Sequence, residues 1–331
     1  MLVGGGYCAQ EDVPAALQRV SLATDLAEAV AGADLVSESV FERLDVKRDI
    51  HRQLDELCSD ATIITTNSSI LQVSEMEDVL ANGSRFAALH SHLGSPLVDI
   101  VPGPRTEPSV VDVLKRYVLS LKSVPLVLKK EHPGYVLNAI LGPLLSTAQA
   151  LVLTDVADIE SVDRAWMSSR NAPMGPFGMI DLFGLNLILD SWEHKGDGLY
   201  YPELRQQAAA FLRAYVERGE TGMQTGRGFY RYPEPAYQQP GFLDAQADTS
   251  RLQAALTVAL VGNAVLIAAA GVADPAELDR AWQVGTYLDA GPFSILENLG
   301  HDTFIAMLDA EVKAQRFRSN RAEKVRCYLR P

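Results

Sequence analysis

An α/β half followed by an all-helical half made of two copies of one unit is the fold this 331-residue sequence predicts. Three observations predict it. Up to residue 130, short apolar runs alternate with amphipathic stretches at the spacing of a largely parallel sheet. From Gly134 onward the chain turns to long Ala- and Leu-rich segments of helical period. Within that second half Asp163-Arg164-Ala165-Trp166 recurs as Asp279-Arg280-Ala281-Trp282, and Gly175-Pro176-Phe177 as Gly291-Pro292-Phe293, both 116 positions later. A shared offset across two motifs marks a duplication.

The elements follow in order. Ala33–Val40 reads as a buried strand, and Leu44–Leu57 as an amphipathic helix with Leu44, Ile50, Leu54 and Leu57 along one side. Strands are predicted at Thr62–Thr66, Phe86–Leu89, Val98–Val101 and Pro125–Leu128, with a helix over Ser109–Leu121. Tyr135–Leu153 is predicted helical and carries Asn138 on its first turn. Asp158 opens a helix that Pro173-Met174-Gly175-Pro176 breaks and Phe177–Asp190 resumes. Pro233–Gly241 reads as a Pro-rich linker to the second helical unit. The expected domains are 1–130, 131–235 and 245–331.

Composition narrows the function classes. Hydrophobic residues make up 47% and charged residues 21%, which suits a globular chain with sizeable cores. A net charge of −13 argues against nucleic acid, whose phosphates call for clustered Lys and Arg. Cys8, Cys58 and Cys327 form no CxxC pair, so neither a disulfide framework nor a metal centre is expected. The apolar stretch Leu256–Val272 is interrupted by Gly262 and Asn263 and reads as a buried helix, with no membrane partner. A reducing compartment fits the cysteines, and a cytoplasmic location is expected.

Chemistry is signalled by polar residues that end apolar runs. Thr62–Thr66 runs into Asn67-Ser68-Ser69, Phe86–Leu89 runs into His90, and Pro133–Leu137 runs into Asn138. Open α/β folds place such residues at the carboxyl edge of the sheet, where their chemistry resides.

Together these pieces resemble the 3-hydroxyacyl-CoA dehydrogenase family. The resemblance covers residues 1–235, with a second helical repeat like that of the larger members. It rests on Ala33-Asp34-Leu35-Val36, Asn67-Ser68-Ser69, Pro133-Gly134-Tyr135-Val136-Leu137-Asn138, Met174-Gly175-Pro176-Phe177 and Gly226-Arg227-Gly228-Phe229-Tyr230. It implies a Rossmann-type domain, NAD as cofactor, an acyl-CoA substrate and a role in fatty acid β-oxidation. It also implies His90 as general base, Ser69 hydrogen-bonding the same substrate oxygen, Asn138 beside the reacting carbon, and Ser39, Glu42 and Lys47 on the nicotinamide side. The family places a Glu twelve positions past the His and an Asn-Pro two positions past it; here the run is His90-Ser91-His92, and position 102 is Pro. Aligning Leu97-Val98-Asp99-Ile100 with the family's strand shortens the loop by three residues and gives Asp99 the role of that Glu. His92 is read as a partly exposed strand residue.

Gly4-Gly5-Gly6 follows no strand and lacks the third glycine of a Gly-x-Gly-x-x-Gly turn. The expectation is therefore an N-terminally truncated domain whose first strands, with the adenine half of the NAD site, lie upstream of Met1. Two other functions are compatible with the residues: a non-catalytic acyl-CoA-binding or assembly protein, and a hydroxy-acid or sugar-acid dehydrogenase of the same superfamily. Residues 252–331 are expected to dock on 132–235 as an internal partner, giving a monomer or homodimer. The second unit has Ala254 where Asn138 stands in the first, so it is expected to be structural.

Overall fold

The computed structural model describes residues 9–92, 94–194, 200–244 and 248–330; the Gly4-Gly5-Gly6 run and Cys8 lie outside them. The first half runs α1 (Val13–Leu17), α2 (Leu26–Val30), β1 (Leu35–Glu38), α3 (Leu44–Leu57), β2 (Ile63–Thr66) and α4 (Val73–Met76). β3 (Phe86–Ser91), β4 (Leu97–Pro102), α5 (Pro108–Ser120) and β5 (Val124–Val127) complete it. The five strands form one sheet in the order β1-β2-β3-β4-β5. β1, β2 and β3 are mutually parallel, β4 is antiparallel to β3, and β5 is parallel to β4. The reversal has a simple cause: residues 92–96 are too few for the crossover a parallel neighbour needs.

Strand alternation divides the sheet between two cores. Ala87, Leu89 and Ile100 lie under Val110, Leu114 and Val118 of α5. Phe86, Ala88, Leu97 and Val101 face the other way, into a core that continues through the helical half. His90 and Asp99 have that second parity.

α3 has the bounds the sequence predicts, but a different buried face. Lys47, His51 and Leu54 point inward, whereas Leu57 is 44% exposed. The reason is Glu38 at the end of β1, which is buried and draws both polar side chains. Its Oε1 accepts from Lys47 Nζ at 2.9 Å, and its Oε2 lies 3.0 Å from His51 Nε2 and 2.7 Å from Thr66 Oγ1. Burial alone would raise the Glu38 pKa; the bonds from His51, Lys47 and Thr66 outweigh it and hold the carboxyl at about 2.

The helical half holds α6 (Leu137–Leu153), α7 (Ile159–Arg170), α8 (Pro176–Phe183), α9 (Leu185–His194) and α10 (Arg205–Val216). It continues with α11 (Ser250–Ala269), α12 (Pro275–Thr286), α13 (Pro292–Leu299), α14 (His301–Lys313) and α15 (Ser319–Leu329). The segment from Phe177 is two helices rather than one, divided at Gly184 with φ +100°.

The duplicated motifs now have a physical reason. Asp163 accepts from the N–H of Phe177 at 2.8 Å and of Gly178 at 3.1 Å, capping α8 with a carboxylate. Asp279 does the same for α13, accepting from Phe293 at 2.6 Å and Ser294 at 2.8 Å. The glycine before each Pro-Phe is required because a Cβ at Gly175 or Gly291 would stand 2.3 Å from the Asp carboxyl carbon. Burial pushes the Asp163 pKa up to about 7 against the pull of its donors, among them the Tyr230 hydroxyl. Left-handed residues recur at the same offset: Asn171 and Tyr287 end α7 and α12, and Gly184 and Gly300 end α8 and α13.

α11 packs on α6 and α7, and Trp166 meets Trp282 edge to face at 6.3 Å between ring centres. α11 is long and apolar enough to cross a membrane by length and composition, yet 72% of that stretch is buried within the protein. The Gly226–Tyr230 motif is a lock rather than a site: Asp181 accepts from the N–H groups of Phe229 and Tyr230 and from the Tyr232 hydroxyl, each at 2.9 Å. The Pro233–Gly241 stretch is not a free linker. Tyr237 and Phe242 are buried, and Arg164 stacks over the Phe242 ring.

Candidate active site

His90 sits on β3 directly opposite Asp99 on β4 in the strand register. Both side chains point toward the helical half, His90 being 5% exposed and Asp99 fully buried. His90 Nδ1 lies 3.0 Å from Asp99 Oδ2. The shortened loop thus delivers Asp99 to the imidazole through strand pairing. His92 has the same parity, two residues on, and its Nε2 reaches the same Oδ2 at 2.8 Å. His92 is partly buried, in keeping with the expectation, with its side chain 8% exposed, but it follows β3 directly rather than belonging to it. Burial disfavours charge on Asp99, but the donors on His90 and His92 overcome it and hold its pKa below the usual range. Its other oxygen, Oδ1, is buried with no hydrogen-bond partner among the described residues.

Tyr135 was legible only as part of a motif. Its ring centre is 5.4 Å from that of His90, and its buried hydroxyl has no hydrogen-bond partner among the described residues. Burial, with the Asp99, Glu42 and Glu131 carboxylates adding to it, pushes that phenol far above its usual range, so it stays protonated. Its left-handed backbone, φ +52°, follows Gly134 at φ +74° and turns the chain into α6. Asn138 is half-buried on the first turn of α6.

Ser69 lies in the loop after β2, and that loop is tied to β3 where Asn67 Oδ1 accepts from the Ser91 N–H at 3.0 Å. No hydrogen bond joins the side chains of Ser69 or Asn138 to His90 among the described residues. Glu42 holds the loop's shape. Its Oε1 accepts from the Ser68 hydroxyl at 2.5 Å and from the N–H groups of Ser69 and Ile70 at 3.0 Å each. Lys47 pairs with Glu38 and stands 3.5 Å from Glu42 Oε2. Ser39 is exposed immediately beyond β1. Ser39, Glu42, Ser69 and His90 therefore lie at or beyond the carboxyl ends of β1, β2 and β3, with Asp99 opposite on β4, Asn138 on α6 and the second helical unit close by. Tyr287 donates to the Gly94 carbonyl at 2.9 Å and Ser95 to that of Val284 at 3.1 Å, tying the loop after His92 to the end of α12.

Residues 1–132 match the family described as 3-hydroxyacyl-CoA dehydrogenase, NAD binding domain. Residues 134–232 and 251–328 match its C-terminal domain. The pig mitochondrial hydroxyacyl-coenzyme A dehydrogenase is 33% identical over 67% of this chain and 71% of its own length. A diketoreductase structure is 37% identical over 68% of this chain and 78% of its own, with a TM-score of 0.63. The Escherichia coli 3-hydroxybutyryl-CoA dehydrogenase structure shares the fold over 99% of this chain and 88% of its own, with 21% identity and a TM-score of 0.79. The cytoplasmic location is corrected here, since the pig, human, rat and mouse relatives are named as mitochondrial; a low cysteine count does not separate those two compartments. The matches span both halves of the fold, and the chain belongs to the 3-hydroxyacyl-CoA dehydrogenase family.

Proposed function

We propose that the chain interconverts 3-hydroxyacyl-CoA and 3-oxoacyl-CoA in an NAD-linked reaction, with His90 moving the hydroxyl proton. The observation that carries this reading is the buried contact between His90 Nδ1 and Asp99 Oδ2. With Nδ1–H donated to the carboxylate, the lone pair is left on Nε2, where it can take a proton from a substrate hydroxyl. Asp99 orients the ring and stabilises its protonated form. Ser69 and Asn138 are the polar residues assigned to the substrate oxygen and the reacting carbon.

NAD, when bound, supplies the hydride acceptor. Ser39 is the exposed group at the β1 end for its nicotinamide side. Glu42 and Lys47 already hold partners, so their part is to shape the Ser68–Leu71 loop beside it. The units 1–130, 131–235 and 245–331 divide these tasks, the last packing on the second as an internal partner in a monomer or a loose homodimer.

Likeness to a diketoreductase supports a second reading, a dicarbonyl substrate without the CoA thioester. The test is NADH oxidation by the purified protein with acetoacetyl-CoA and, separately, with a free β-diketone. Turnover of the thioester supports the first reading, and turnover of the diketone alone supports the second. Binding of acetoacetyl-CoA without turnover of either overturns both in favour of a non-catalytic acyl-CoA-binding protein.

A further inference from the structure

We propose that His90, His92 and Asp99 form a binding site for a divalent transition metal ion of the zinc class, and that its occupation switches off the His90 base. The three ligand atoms, His90 Nδ1, His92 Nε2 and an Asp99 oxygen, all lie within 4.8 Å of one another. Two of the separations are 3.0 and 2.8 Å. Zinc bonds of about 2.0–2.2 Å to nitrogen and oxygen at a tetrahedral centre put ligand atoms roughly 3.3–3.5 Å apart. Each imidazole therefore has to retreat from Asp99 by a few tenths of an ångström, while the widest separation in the set, up to 4.8 Å, closes by roughly 1.3–1.5 Å as the two rings turn toward the ion. Two nitrogens and a carboxylate are a ligand set that suits zinc, cobalt and nickel better than magnesium or calcium.

A second observation points the same way. Asp99 Oδ1 is fully buried and without a hydrogen bond among the described residues, an oxygen that an ion held by both oxygens of the carboxylate would satisfy. His92 is the component that makes the site. A single histidine facing a carboxylate is a catalytic pair, whereas the sequence His90-Ser91-His92 puts two imidazoles on one side of the strand, both aimed at one oxygen.

The consequence for chemistry follows from proton positions and rests on the base assigned above. A metal on Nδ1 of neutral His90 displaces the proton from that nitrogen, and the neutral ring then carries it on Nε2. The lone pair that would accept the substrate proton is lost, with no change in the oxidation state of any atom. Occupied protein holds metal, and metal-free protein holds the base.

The metal site is tested without relying on activity. Full-length metal-free protein is titrated with cobalt(II), and the visible ligand-field absorption is recorded, followed by displacement with zinc. One equivalent of cobalt giving an intense tetrahedral-type spectrum that zinc abolishes is the expected result. In His92→Gln, which keeps the His90–Asp99 contact, cobalt affinity is expected to fall by more than the roughly 10–100-fold that loss of an outer-sphere partner costs. Should that variant fail to fold, X-ray absorption of the zinc-loaded wild-type protein decides, and two imidazoles with a carboxylate around zinc are expected. Absence of a cobalt spectrum in the wild type, an unchanged affinity in folded His92→Gln, or a zinc shell without two imidazoles overturns the proposal. Zinc inhibition of turnover, reversed by chelator, is the further expectation; a protein that binds cobalt but has no turnover counts against the assigned activity and not against the site.

Discussion

Replacing Asp99 by Asn removes one charge and almost no volume, so its effect isolates what the carboxylate does for His90. At 3.0 Å, a protonated imidazole and a carboxylate attract by about 5 kcal/mol when the effective dielectric constant is about 20. Part of that attraction is offset by the cost of burying the carboxylate, and part is shared with His92. A net loss of about 3–5 kcal/mol corresponds to a fall in turnover of about 10²–10⁴-fold. An amide also disturbs the tautomer. If its NH₂ faces the rings, His90 must accept on Nδ1 and carry its proton on Nε2, where the base is needed. The assay is NADH oxidation with acetoacetyl-CoA, with kcat and KM measured separately and folding checked by circular dichroism. The expected result is a fall of that size in kcat with KM changed little. A folded Asp99→Asn protein within about threefold of wild-type kcat would refute the assignment of Asp99 as the group that orients the base.

Other outcomes concern the scaffold. Asp163→Ala leaves the N–H groups of Phe177 and Gly178 and the Tyr230 hydroxyl unpaired in the core, a loss of about 3–6 kcal/mol at 1–3 kcal/mol per buried donor, moderated by relaxation. Asp279→Ala is at a half-buried cap that water can reach and is expected to cost about 1–2 kcal/mol; urea titration of both variants checks this, and equal losses would contradict the unequal burial of the two caps. Glu38 has its pKa lowered from 4.5 to about 2. Its contribution of about 3 kcal/mol is fully present above pH 4.5 and is lost as pH falls toward 2. In Glu38→Gln that segment of the acid unfolding curve should be missing, and an unchanged curve would remove Glu38 as its source.

Much of this arrangement was legible in the sequence where local rules act alone. α3 begins and ends where the pattern of Leu44 to Leu57 places it, and the duplicated Asp and Gly-Pro-Phe motifs marked a helical unit present twice. Asp99 was found because a strand pattern tolerates a shorter loop before it more readily than a shift within it. Less legible were features set by partners distant in the chain. Lys47 and His51 belong to the buried face of α3 because Glu38 is buried beside them, and an apolar count passes over both. Tyr237 and Phe242 anchor a segment whose prolines suggest a linker. Two signals were present and are plain in retrospect: the five residues before β4 require an antiparallel turn, and His92 shares strand parity with His90.

The central claim is that His90 is the proton-transferring base, and His90→Gln tests it most directly. Glutamine keeps a polar side chain of similar reach opposite Asp99 but cannot accept a proton near neutral pH. Wild-type protein should oxidise NADH in the presence of acetoacetyl-CoA. His90→Gln, folded and still binding acetoacetyl-CoA, should lose at least about 10³-fold in kcat, within the range of a missing general base. Undiminished turnover in that folded variant would contradict the account.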